Sequence, residues 1–332
     1  MRCARGPRPP VASCTAALLV ASAFFTGCST VAEKGSSQAR SSSSPTSAAA
    51  ESWYPFEGLT KIGADQQKAI FDAKEAAIAQ CMKSRGFEYL PEPYRAPDDL
   101  MNSWGDVAYA REHGYGLNYS GEPDRDASTP TEAPPRNDPS RLPAATRTAW
   151  QAALNGASVG DPDAIGKDPD LVEIKTAEGA SYFSRSACRT YADEQVQGDE
   201  VQWMSSQARV QDLANEVQRT VDADPRIAAK KRDWAECMAG RGYQVTEPET
   251  APDAIMDKVR AGQLDQSDAR KQEIAMATAD AECVNAVGAP EVRRQVMAEH
   301  EKSVLDAHEN DIMAFVELQK KAVERATALA AR

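Results

Sequence analysis

Three histidines, seven cysteines and fifty acidic residues are the side chains with which this 332-residue sequence could do chemistry. His300-Glu301 and His308-Glu309 begin like the zinc-protease helix motif. Neither has a second histidine four residues on, so neither supplies two imidazoles on one helical face. The two histidines sit about 12 Å apart by helical rise, too far to share one ion. They read as surface histidines. His113, in REHGYG, has no recognisable nucleophile partner. No G-x-S-x-G, Walker loop or dinucleotide fingerprint occurs. The acids are spread so widely that spacing alone pairs none of them, and a wall hydrolase using two carboxylates stays an alternative without named residues. The expectation is a chain with no catalytic residue, no metal and no cofactor.

Among the cysteines, Cys28 has its own context. Residues 1–10 carry Arg2, Arg5 and Arg8 and no acid, and Val11 to Phe25 is an apolar run of 15 residues. That is shorter than the roughly 20 residues of a membrane-spanning helix and fits the apolar part of a secretory signal. It ends in Phe25-Thr26-Gly27-Cys28. Small residues before a cysteine mark the site where bacterial prolipoproteins are acylated on the thiol and cut, although Phe25 stands where leucine is usual. Residues 1–27 are therefore expected to be removed as a signal peptide, with lipid (palmitate among its acyl chains) on Cys28. Residues 28–52 are a serine-rich stretch of the kind that tethers a folded body to a membrane. The expected location is the outer face of the bacterial cytoplasmic membrane.

Cys3 and Cys14 fall in the signal, which leaves Cys81, Cys188, Cys237 and Cys283. An even number in an exported chain points to disulfides, with three possible connectivities. No two are close enough for a structural zinc site, and no C-x-x-C redox pair exists. An internal repeat chooses among the connectivities. Residues 79–87 read AQCMKSRGF and residues 235–243 read AECMAGRGY, and each is followed by a loop and a later helix with one cysteine. The pairing it predicts is Cys81–Cys188 and Cys237–Cys283. Arg85 and Arg241 end the repeated helices, where a cation complements the helix dipole.

The elements that must position these groups are helical. Spacings of three and four run from Thr60 to Arg85, with Gly86 as a left-handed cap and Phe87 packing back. A proline-rich stretch from Gly121 to Thr148 reads as a disordered insertion. Further helices are expected near Ala144–Ala153, over Ser181–Gln197, and from Glu200 to Asp222 with Val210, Leu213, Val217 and Val221 inward. Asp224-Pro225 opens a helix reaching Arg241. Two more cover Gln263–Val287 and Pro290–Ala330, the last with a stripe of Val304, His308, Ile312, Phe315, Gln319, Val323, Ala326 and Ala330. The fold class is mainly α: a first helical unit over residues 53–198 and a second over 199–332 that ends in a long helix. Short hairpins near the Gly-aromatic turns are the only strands considered.

This layout resembles a group of actinobacterial exported lipoproteins that share a CM-x-x-x-G-Y/F helix, a preceding Asp-Pro-Arg turn and a later alanine-rich helix with one cysteine. Here those features are Trp234 to Tyr243, Asp224-Pro225-Arg226 and Ala275 to Val284, within roughly residues 140–330. The resemblance implies an envelope location and no particular activity.

The formal charge is −12, and loss of the three signal arginines makes it three units more negative. A strongly acidic body without basic clusters is repelled by phosphate polymers, which argues against nucleic acid as a partner. The function expected is non-catalytic binding in the envelope, through lipid on Cys28 and an envelope or transporter protein. The alternative is the solute-binding component of a transporter. Candidate contact residues are Trp104, Tyr109 and Tyr115 in an aromatic segment, and Ile312, Phe315 and Val323 on the last helix, whose distal turns either rest on Glu200 to Asp222 or stay available as a binding arm.

Overall fold

A computed structural model describes residues 53–96, 104–117, 119, 136–177 and 179–331. The signal, Cys28, the tether and residues 121–135 of the proline-rich insertion lie outside the described residues. Ten α-helices are described: α1 (Glu57–Thr60), α2 (Ala64–Ser84), α3 (Val107–His113), α4 (Ala144–Asn155), α5 (Cys188–Gln197), α6 (Glu200–Asp222), α7 (Pro225–Gly240), α8 (Ala251–Arg260), α9 (Gln266–Ala286) and α10 (Ala289–Ala330). None of them is long and apolar enough to cross a membrane.

One antiparallel hairpin joins β1 (Leu171–Thr176) to β2 (Gly179–Ser184), pairing Leu171 with Ser184 and Thr176 with Gly179. It corrects the helix expected from Ser181. Asp170 gathers Ser186 N–H and Ser186 Oγ, both at 2.8 Å, together with Ser184 Oγ, and so holds the strand end apart from α5. A second correction concerns residues 136–148, expected to be disordered. Asn137 bonds both the N–H and the carbonyl of Leu90, at 2.8 and 2.7 Å, and α4 begins at Ala144.

The main core lies between α6 and α10, with α2 and α5 covering the rest of α10. Val210, Leu213, Val217 and Val221 all face inward as their spacing predicts, against Val296, Met297, Ile312 and Phe315. The Trp203 and Phe315 rings meet edge to face at 5.3 Å. Of the two readings of the last helix, this arrangement bears out packing on Glu200 to Asp222 and overturns the binding arm. Ile312 is fully buried and Phe315 nearly so, while Val323 is half-buried beside the fully buried Ala322 and Ala326. The stripe is covered by three helices of its own chain, because α2 and α5 supply the cover that α6 alone lacks. Nor is α10 straight. It departs from helical geometry at His308 (φ −131°), where Arg209 reaches His308 Nδ1 at 3.1 Å and Asp311 at 2.9 Å.

Two smaller cores are built around the disulfides. Cys81–Cys188 joins the end of α2 to the start of α5, beside Met82, Tyr89, Trp150 and Leu154. Cys237–Cys283 joins the end of α7 to the end of α9, beside Trp234, Met238, Ile255 and Val284. Both bonds are those the repeat predicts. The repeat also reproduces a helix ending. Phe87 N–H bonds Met82 O and Tyr243 N–H bonds Met238 O, each at 3.0 Å, around Gly86 (φ 81°) and Gly242 (φ 92°). This six-to-one bond needs a left-handed residue, which glycine adopts without a Cβ clash. The similarity ends there, since Cys188 opens its helix whereas Cys283 lies near the end of its own. Segments 53–198 and 199–332 share the core around α10.

Candidate functional site

The aromatic segment is positioned by α9. Asp106 caps α3 by accepting the N–H groups of Ala108 and Tyr109 at 2.8 and 3.0 Å. Ala110 of α3 then meets Ala277 and Ala281 of α9, and three methyl side chains let the two helices approach closely. Arg270 closes the far end of α3 through the carbonyls of His113 (2.9 Å) and Glu112 (3.3 Å). The chain turns at Gly114 around the fully buried Glu273, which accepts Leu117 N–H at 3.0 Å and the hydroxyl of Tyr119 at 2.7 Å. At Gly114 (φ 58°) a Cβ would stand 2.7 Å from Glu273 Oε1, so only glycine fits. Arg270 Nη1, 3.0 Å from Glu273, balances its charge.

Above this support lies a cavity of about 560 Å³. Trp53, Trp104, Tyr109, Tyr115 and Trp234 form its aromatic wall, and Ile227, Ala277, Ala281 and Val284 are among the aliphatic side chains lining it. Size and lining suit a small-molecule site, where apolar walls bury the ligand and a few polar groups orient it. Trp53 stacks edge to face on Trp104 at 5.2 Å, with the Arg294 guanidinium 5.1 Å from the Trp53 ring on its other contact. Tyr109 also lies against His113, ring centres 4.4 Å apart.

The polar group set into this wall is Asp280. Trp234 Nε1–H donates to its Oδ1 at 2.7 Å and Tyr115 O–H to its Oδ2 at 3.0 Å. Burial pushes the Asp280 carboxyl above the ordinary aspartate range, although both hydrogen bonds oppose the shift. Burial and the neighbouring Asp280 drive the Tyr115 hydroxyl far above its usual value, so it stays protonated and donates. The cations at the cavity are each held by acids: Lys230 by Asp233 (3.1 Å), Lys231 by Glu249 (2.7 Å) and Glu247 (3.6 Å), Arg293 by Asp222 (3.0 Å).

Three of the residues expected to make contacts, Trp104, Tyr109 and Tyr115, thus line one cavity, while Ile312, Phe315 and Val323 stand apart in or beside the main core. Trp53, Trp234, Ile227 and Asp280 were not foreseen as site residues. A sequence signal for Asp280 exists: Glu273, Ala277, Asp280 and Val284 recur at helical spacing, placing two acids on a face shared with apolar residues. The histidines lie outside the cavity lining. His300 approaches Asp224 at 3.5 Å, beside Arg226, which joins Asp224 (2.9 Å) to Glu299 (2.7 Å) and so fastens the start of α7 to α10. Among the described residues no group of three or more His, Cys, Asp or Glu side chains could hold a metal ion. Arg85 and Arg241 also have structural partners: Arg85 bonds the carbonyls of Ala153 (3.3 Å) and Ser186, and Arg241 pairs with Glu282.

No protein-family model, curated protein or solved structure matches the chain.

Proposed function

We propose that this chain is a lipid-anchored binding protein of the bacterial envelope, held through Cys28, which captures a small ligand with an apolar face in the cavity between α3, α7 and α9. The observation that carries the binding reading is the aromatic lining: five rings around about 560 Å³ offer a large apolar area at low conformational cost. Its support is preorganised, since α3 is capped by Asp106, closed by Arg270 and turned at Gly114. Placement in the envelope rests on the signal, the Thr26-Gly27-Cys28 site and the serine-rich stretch after it. Trp53, which follows that stretch in the sequence, lines the cavity.

The binding reading is tested with a neutral fluorescent apolar probe, N-phenyl-1-naphthylamine, titrated into the full chain. Saturable emission at one site per chain is expected. Trp104→Ala is expected to weaken it at least tenfold with little change in thermal unfolding, because Trp104 is only half-buried. Emission that never saturates, or that ignores the Trp104 change, would sink the reading. The anchor is tested separately by growth with a labelled fatty acid, where Cys28→Ala should lose all label.

A further inference from the structure

Asp280 is a carboxylate without a counter-charge. Both of its oxygens accept a hydrogen bond, from Trp234 and Tyr115, but both donors are neutral. No Lys, Arg or His among the described residues pairs with it, although three cations line the same cavity. Those three are committed elsewhere. Lys230 pairs with Asp233, Lys231 with Glu249 and Arg293 with Asp222, so among the acids lining the cavity Asp280 is the one left without a cation. Hydrogen bonds from neutral groups satisfy lone pairs but leave the charge, and a charge facing an apolar wall is costly unless paired.

The wall has the same electrostatic sense. Aromatic rings present a negative face, which attracts cations and repels anions. Five aromatic residues thus line a cavity whose half-buried, uncompensated polar group is anionic.

We propose that the cavity takes an organic cation, an amine or quaternary ammonium group set against Asp280 with its apolar body between the aromatic side chains. This rests on the binding reading above and assigns its ligand class. Trp234 and Tyr115 are then positioning residues. They hold the carboxylate in one orientation, its remaining lone pairs accept the ligand's cation, and Trp53, Trp104 and Tyr109 enclose the ligand body. Anionic amphiphiles of the same size are excluded by Asp280 and by the ring faces together.

Three probes with one phenylpropyl body separate charge from apolar fit: 3-phenylpropylammonium, neutral 3-phenylpropanol and anionic 3-phenylpropionate, each titrated calorimetrically into the full chain at pH 7.5. The ammonium probe is expected to bind at least tenfold more tightly than the alcohol, and the carboxylate probe more weakly than either. Asp280→Asn should bring the ammonium probe down to the affinity of the alcohol and leave the alcohol unchanged. Equal binding of ammonium and alcohol by the unaltered chain would overturn the cation assignment while the binding reading stands. Failure of all three probes to bind would overturn the cation assignment, and the N-phenyl-1-naphthylamine titration then decides whether the binding reading stands. Should Asp280→Asn lose its cooperative unfolding transition, the ratio measured on the unaltered chain decides alone.

Discussion

Single residues in this protein divide into those whose role is local and those whose role depends on distant neighbours. Gly86 and Gly242 belong to the first kind: a helix followed by Gly-aromatic is enough to specify the left-handed ending. Asp224 is an N-cap read from position alone, whereas the Asp106 cap emerged only in the structure. Glu200 belongs to the second kind. Its spacing suits an exposed first turn, yet α6 packs so that Glu200 is buried, and its Oε2 has no hydrogen-bond partner. Burial, with Asp193 adding repulsion, pushes its carboxyl up to about 7, while Lys74 pulls the other way. The folded chain then holds this proton more tightly than the unfolded chain. Stability from this group is present in full below the unfolded value near 4.5 and is lost as pH rises through about 7. Denaturant unfolding at pH 5 and pH 8 should show Glu200→Gln flattening that decline, by about 2 kcal/mol at pH 8 relative to the parent. Equal pH dependence in both chains would show that Glu200 is solvated.

At the scale of elements, amphipathic spacing located α2, α6, α7 and α10 because each has a stripe that must be buried whatever covers it. It did not say what would cover them. The α10 stripe is one example: its residues were legible, but a helix with half its length unaccounted for reads equally as a free arm. The hairpin is the other. β1 and β2 lack clean alternation (Leu171 and Val172 both half-buried, Ser184 buried), and the pair is set by Asp170 and by packing of β1 on α6. If α10 is core, Phe315→Ala should cost about 3–5 kcal/mol through the cavity it leaves beside Trp203. Truncation after Asn310, which removes Ile312, Phe315, Ala322 and Ala326 together, should abolish cooperative unfolding of the domain. A truncated chain that melts like the parent would restore the arm.

Over the whole molecule, two disulfides fasten cores that are small on their own. In the chain-entropy model, closing loops of 107 and 46 residues stabilises by up to about 5 and 4 kcal/mol respectively. Replacing Cys237 and Cys283 by serine should lower the melting temperature and weaken probe binding, since that bond holds α7 and α9, the two helices that bring Trp234 to Asp280. Replacing Cys81 and Cys188 should lower the melting temperature with little effect on binding, because that core lies apart from the cavity. Similar binding losses in both double variants would mean that the cavity is not a local site. The pairing of these cysteines was legible because the repeat compares short segments, and helix ends and N-caps were legible because their hydrogen bonds span only a few residues. The cavity was not. Tyr115 meets Asp280 across 165 positions of chain and Trp234 meets it across 46, so the charge, its donors and the aromatic wall converge only when α3 docks on α9 through alanines. A methyl-to-methyl helix contact leaves almost no mark in a sequence already rich in alanine, and that is why packing, rather than pattern, decided where this protein keeps its one uncompensated carboxylate among the cavity groups.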